Sequence, residues 1–187
     1  MIQLYYGTDT NKTDQVVQNV MLPALRKHGI EVKDKVVPEI VKSDWEDHDV
    51  FIIGVPTWYY GELQSDWEAY FPALQKMDFT NKTIAIFGLG DQWGYDEWFV
   101  DGMGILADVL IANGADMIGS WPNEGYTFIK SRALRPDGRF HGLALDEDNQ
   151  WDLTKDRCKQ WIGDIAPLLK QKSMQTEDAG GIEAKTC

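Results

Sequence analysis

Val50-Phe51-Ile52-Ile53-Gly54-Val55-Pro56-Thr57-Trp58-Tyr59-Tyr60-Gly61 is the stretch whose reading decides the fold. Val50 to Gly54 is continuously apolar, as expected of a strand buried on both faces of a parallel sheet. It ends at Pro56, which cannot donate a ladder hydrogen bond. Three aromatic residues and a glycine follow. A buried strand that stops at a proline and delivers aromatics onto a loop makes a platform for a flat ligand. In an open parallel sheet such a loop lies at the carboxyl ends of the strands, where ligands bind.

Working outward, Ile2 to Tyr6 is a short apolar strand, followed by the polar turn Gly7-Thr8-Asp9-Thr10-Asn11-Lys12-Thr13. Val16, Val17, Val20, Met21 and Leu25 then recur at helical spacing until His28-Gly29. A second strand is expected over 30–37, and a polar connection with a short helical piece over 38–49. Downstream, Trp67, Tyr70, Phe71 and Leu74 mark one face of a helix over 66–77. The fourth strand, Thr83 to Gly88, leads into Leu89-Gly90-Asp91-Gln92-Trp93-Gly94-Tyr95. A helix over 103–113 precedes a fifth strand that begins at Asp116. Residues 120–141 are glycine-rich, aromatic and basic (Lys130, Arg132, Arg135, Arg139) and lack helical period. They read as an insertion that interrupts or extends the fifth strand, which resumes over 142–145. A last helix is expected over 153–169. Residues 170–187 turn polar, with Gly180-Gly181, and are expected to be a disordered tail to a single domain of residues 1–169.

Strands alternating with helices predict an α/β fold: three layers around a doubly wound, five-stranded parallel sheet. Right-handed crossovers then bring loops 8–13, 57–62 and 89–95 to one sheet edge.

The composition narrows the classes. Of 187 residues, 43% are hydrophobic and 26% charged, which is ordinary for a globular chain. A net charge of −12 argues against nucleic acid and anionic membrane surfaces and favours a basic protein partner. Two cysteines, Cys158 and Cys187, make no disulfide framework. With no signal peptide and no membrane-spanning run, the expected location is cytoplasmic, or a plastid stroma if a transit peptide has been removed. His28, His48 and His141 are scattered, and no metal-ligand spacing is present.

Residues 8–13 offer three threonine hydroxyls, an asparagine and a run of amides at a helix N-terminus, which suits a phosphate. The same composition serves equally as a helix cap without a ligand. The glycines and Gly-Lys-Ser/Thr ending of a Walker-type loop are missing. Trp58 and Tyr95, on the other two loops, are placed to sandwich a planar ring. Gly88, Gly90 and Gly94 keep the third loop's backbone accessible, and Asp91 is an acceptor for a ring N–H. Trp45, Trp67, Trp121, Trp151 and Trp161 are assigned to packing.

Four motifs carry a resemblance. They are Pro-Thr-Trp-Tyr-Tyr-Gly-Glu-Leu-Gln-Ser-Asp-Trp-Glu from Pro56, Gly-Asp-Gln-Trp-Gly-Tyr from Gly90, Trp-Pro-Asn-Glu-Gly-Tyr from Trp121 and Leu-Asp-Glu-Asp-Asn-Gln from Leu145. From Ile2 to about Leu169 the chain resembles the long-chain flavodoxins. The resemblance implies strand order 2-1-3-4-5, taken over from the family, and non-covalent FMN at the sheet edge. It implies that Thr8, Asp9, Thr10, Asn11, Lys12 and Thr13 cradle the phosphate and that Thr57 lies near the ribityl chain. Trp58 and Tyr95 would flank the isoalloxazine ring, with the Tyr59 carbonyl near N5 and Asp91 on the pyrimidine edge. Tyr60, Gly61, Gly88, Leu89, Gly90 and Trp98 would complete the walls, and Asp146 would reach a ribityl hydroxyl. The chain departs from the family at Asn11, where glycine is usual, and at Trp98 and Val100, where amide side chains are common.

By the same resemblance the chain is expected to be a monomeric one-electron carrier that replaces ferredoxin when iron is limiting. Carboxylates expected near the ring, Glu62, Asp66, Asp91, Asp96, Glu97, Asp146, Glu147 and Asp148, would make it a low-potential shuttle between semiquinone and hydroquinone. Ferredoxin–NADP reductase, and in a photosynthetic host photosystem I, would be its partners. Two other classes stay open: a quinone or azo reductase, which needs a substrate pocket beside the flavin, and a flavodoxin-fold binding module with weakened FMN binding.

Overall fold

The structure is a computed structural model, and it describes residues 1–183. In chain order the elements are β1 (Ile2–Tyr6), α1 (Lys12–Val16), α2 (Leu22–Lys27), β2 (Val32–Val36), α3 (Lys42–Glu46), β3 (Val50–Trp58) and β4 (Glu62–Leu63). They continue with α4 (Ser65–Leu74), β5 (Thr83–Leu89), α5 (Asp101–Ala112), β6 (Asp116–Ile118), β7 (Leu143–Leu145) and α6 (Trp151–Glu183). The sheet runs β2-β1-β3-β5-β6, with β7 also on β5 and β4 on β3. Every pairing is parallel except β3 with β4.

All five residues of β1 and all seven of β5 are buried. Successive side chains of a strand point to opposite faces, so both faces of the sheet are covered and the three-layer expectation holds. The fifth strand is divided. β6 pairs with Thr83 to Ala85 and β7 with Phe87 to Leu89, so residues 119–142 leave the sheet in mid-strand and return to it.

Three expectations need correction. First, β3 does not stop at Pro56 but continues to Trp58, pairing Pro56 with Leu89. The Gly54 carbonyl faces β1, accepting from the Gly7 amide at 3.1 Å, and Pro56, two residues on, faces the same side. β1 has already turned away there, so the missing N–H of Pro56 costs the ladder nothing. Second, the helix begun by α1 passes through a π-helical turn, Val17–Met21, before α2. Pro23 supplies no N–H to the Asn19 carbonyl, and the regular ladder breaks there. Third, α6 does not end at Leu169 but runs on to Glu183. The stretch that follows Leu169, Lys170-Gln171-Lys172-Ser173-Met174-Gln175, holds mostly good helix formers and no proline, and Lys172 pairs with Asp116 at 2.9 Å. Residues 184–187 of the expected tail lie outside the described residues.

Trp45, Trp67, Trp121 and Trp161 are buried as expected, whereas Trp151, at the first position of α6, is 69% exposed. No helix among the described residues is long and apolar enough to cross a membrane.

Candidate functional site

The carboxyl ends of β1, β3, β5 and β7 deliver their loops to one edge, where a cleft of about 280 Å³ opens. Thr10, Lys12 and Thr13 line it from the first loop, and Thr57, Trp58 and Tyr59 from the second. Leu89, Gly90, Asp91, Tyr95 and Trp98 line it from the third. Thr8, Asp9, Asn11, Tyr60, Gly61, Gly88 and Asp146 stand outside its lining. Pro56, Glu147 and Asp148 also belong to it.

The first loop is built as an anion cradle. Asn11 sits at φ 61° and ψ 1° and offers no side-chain cap, so the chain enters α1 from a left-handed residue. Asparagine tolerates that conformation better than other residues with a side chain. The first helical bond is Gln15 N to Asn11 O at 2.9 Å, which leaves the amides of Lys12, Thr13 and Asp14 without intrahelical acceptors. The Thr8 hydroxyl oxygen is buried and has no partner among the described residues. Donors left open at a helix N-terminus fit a phosphate group. Asp9 turns the other way, bound to Gln64 Nε2 at 2.8 Å and Ser65 Oγ at 3.1 Å, and braces the turn against α4.

The second loop carries the aromatic wall. Trp58 ends β3, where pairing with Glu62 holds it, and meets the Tyr59 ring edge-on at 5.5 Å. Tyr59 has φ 42°, a left-handed conformation that a bulky residue adopts only under constraint. The return through Gly61, at φ 87°, passes so close to α5 that a Cβ there would lie 2.9 Å from Asp101 Oδ2. Tyr60 lies outside the cleft as a support, edge-on to Trp98 at 5.1 Å and to Tyr95 at 6.2 Å. Thr57 Oγ1 accepts from the Gly102 amide at 3.0 Å, which aims its O–H away from α5.

Two acidic residues do something other than expected. Asp91 Oδ1 accepts from the amides of Trp93 (3.0 Å) and Gly94 (2.8 Å) and from Asn149 Nδ2 (2.8 Å). Burial pushes its carboxyl up, but these donors and the Lys12 charge hold it below the usual carboxylate range. The carboxylate therefore closes its own turn through Oδ1. Asp146 is fully buried and accepts from Gln92 Nε2 (2.7 Å), Asp148 N (3.0 Å) and Asn149 N (2.9 Å). It pins the loop after β7 to the loop after β5 and has no oxygen left for a sugar hydroxyl in the cleft. The signal for this was in the sequence: an Asp two and three residues before the amides it binds is an Asx turn.

Glu147 and Asp148 complete the rim. The Glu147 carboxyl is pushed up by burial, against the pull of the Thr154 hydroxyl and of Lys12. Asp148 Oδ1 lies 2.5 Å from Lys12 Nζ. The insertion buttresses the third loop: Gln92 Oε1 accepts from Thr127 N at 2.5 Å, and Asp96 O from Ile129 N and Lys130 N at 2.9 and 3.0 Å.

The chain that builds this cleft is similar to proteins of known kind. A family model described as Flavodoxin matches residues 4–161. A flavodoxin of Haemophilus influenzae is 41% identical over 165 residues, covering 88% of this chain and 93% of that protein. A flavodoxin of Synechocystis is 41% identical over 169 residues, covering 90% of this chain and 98% of that protein. Among solved structures, a Fusobacterium nucleatum flavodoxin bound to flavin mononucleotide superposes with a TM-score of 0.81 at 32% identity, covering 88% of this chain and 95% of that one. The chain belongs to the flavodoxin family.

Proposed function

We propose that this chain carries single electrons on a non-covalently held FMN and is a carrier rather than an enzyme. The observation that carries this reading is the pairing of Thr10, Lys12 and Thr13, at a helix start with open amides, with Trp58 and Tyr95 in one cleft. Thr10, Thr13 and the free amides hold the phosphate, and Trp58 and Tyr95 hold the ring and keep water from its faces. Bound FMN supplies the redox chemistry. The protein supplies a field: Asp91, Glu147 and Asp148 line the cleft against one cation, Lys12. Each such charge disfavours added negative charge on the ring by about 1 kcal/mol at a partly exposed site, which makes the carrier a low-potential one.

Exchange with a basic partner follows from the net charge of −12 and from the exposed rings of Tyr59, Tyr60 and Trp93 beside the cleft. Ferredoxin–NADP reductase, and photosystem I in a photosynthetic host, fit that description, with the chain standing in for ferredoxin in the cytoplasm or stroma. Titrating the protein into FMN tests the site: flavin fluorescence is quenched at one equivalent. Trp58→Ala weakens binding by roughly tenfold, as loss of about 1.5 kcal/mol of stacking implies. Unquenched FMN, or a Trp58→Ala protein that binds like wild type, contradicts the reading.

A further inference from the structure

The charges lining the cleft do not suit a phosphate dianion. Lys12 is its one cation among the described residues, and it faces three carboxylates, Asp91, Glu147 and Asp148. Asp91 is occupied in its own turn, and Glu147 is held by Thr154. Asp148 alone makes an ion pair with Lys12, across loops that are 136 residues apart in sequence. Its backbone is fixed, because the Asp148 amide donates to the buried Asp146 carboxylate at 3.0 Å. The held backbone keeps the half-exposed carboxylate within reach of Lys12. The remaining phosphate donors are amides and threonine hydroxyls, which are neutral. A Lys12 ammonium held by Asp148 is unavailable to a phosphate.

We propose that Asp148 competes with the phosphate group of FMN for Lys12, so that this ion pair sets how tightly the cleft holds the phosphate end of its cofactor. The inference rests on the reading of the cleft as an FMN site. Phosphate entry breaks the Lys12–Asp148 pair, and Lys12 passes from carboxylate to phosphate. Both partners are about half exposed, at 44% and 47%, so the pair is weak enough to exchange and is screened by salt.

The test is a set of four proteins, wild type, Asp148→Asn, Lys12→Gln and the double variant, each titrated with FMN and with riboflavin, which lacks the phosphate. Flavin fluorescence reads the dissociation constants, at low and at high salt. Asp148→Asn tightens FMN by roughly two- to fivefold at low salt, the range an exposed ion pair spans, and leaves riboflavin unchanged. High salt erases the gain. In the Lys12→Gln background the same substitution has a smaller effect, because nothing remains to be released. An equal gain in both backgrounds means simple repulsion of the phosphate and overturns the competition, as does a gain shared by riboflavin or no gain at all. A wild-type protein that binds neither flavin overturns the FMN reading itself, a result distinct from all of these.

Discussion

Asn11 shows how much a single backbone conformation carries. It stands at φ 61° in the turn that opens α1, and its side chain makes no cap, so its contribution is the left-handed geometry that presents the neighbouring amides. Asn11→Gly keeps that geometry and leaves both stability and FMN affinity nearly unchanged. Asn11→Ala keeps a Cβ in the left-handed region but removes the short polar group that makes asparagine tolerant of it, at a cost of about 1 kcal/mol, and loosens FMN more than riboflavin. Thermal melts and the two flavin titrations check both variants; an alanine protein as stable as wild type contradicts the account. Glu147 belongs to the same scale. Its folded carboxyl is raised above its unfolded value, so folding favours the protonated form. That favourable contribution is complete below the usual carboxylate range and is lost as pH rises through the folded value. Glu147→Gln keeps the acceptor for Thr154 and removes the charge. It stabilises the protein at neutral pH, and urea melts show the gain shrinking towards acid pH. An equal gain at both contradicts the burial explanation.

At the scale of elements, the third loop, the loop after β7 and the insertion are joined through one buried side chain. Gln92 is 1% exposed, donates to Asp146 and accepts from Thr127. Gln92→Ala leaves the buried Asp146 carboxylate short of a donor and removes the acceptor that holds the insertion at the Thr127 amide. A loss of about 2–4 kcal/mol follows, with faster amide exchange over residues 120–141. Gln92→Ala with unchanged exchange in the insertion would show that the buttress is not real. What the sequence made legible, and what it did not, divides at the same place. β1, β3 and β5 announced themselves because burial on both faces leaves an unbroken apolar run. β4, of two residues, lacks the length to show a pattern, whereas β6 begins at Asp116 as expected. Pro56 was misread because a proline's effect depends on which neighbour its absent N–H would have faced. Asp91 and Asp146 were recognised as acidic groups near the cleft. Asp146 has a local signature in its Asx turn, but Gln92 on Asp146 and Asn149 on Asp91 are donors that meet these carboxylates only in the folded chain. The Lys12–Asp148 pair, joining the first loop to the last, had no local signature at all.

For the whole molecule, a doubly wound sheet with loops gathered at one edge sets phosphate donors, aromatic faces and a carboxylate-rich rim around one cleft. The first two hold a flavin; the third, with a net charge of −12, makes it hard to load with negative charge. Potentiometric titration of the FMN-loaded protein tests that central claim most directly. The account predicts two separate one-electron steps, the second at a potential below that of free FMN. A single two-electron step at the potential of the free flavin would contradict it.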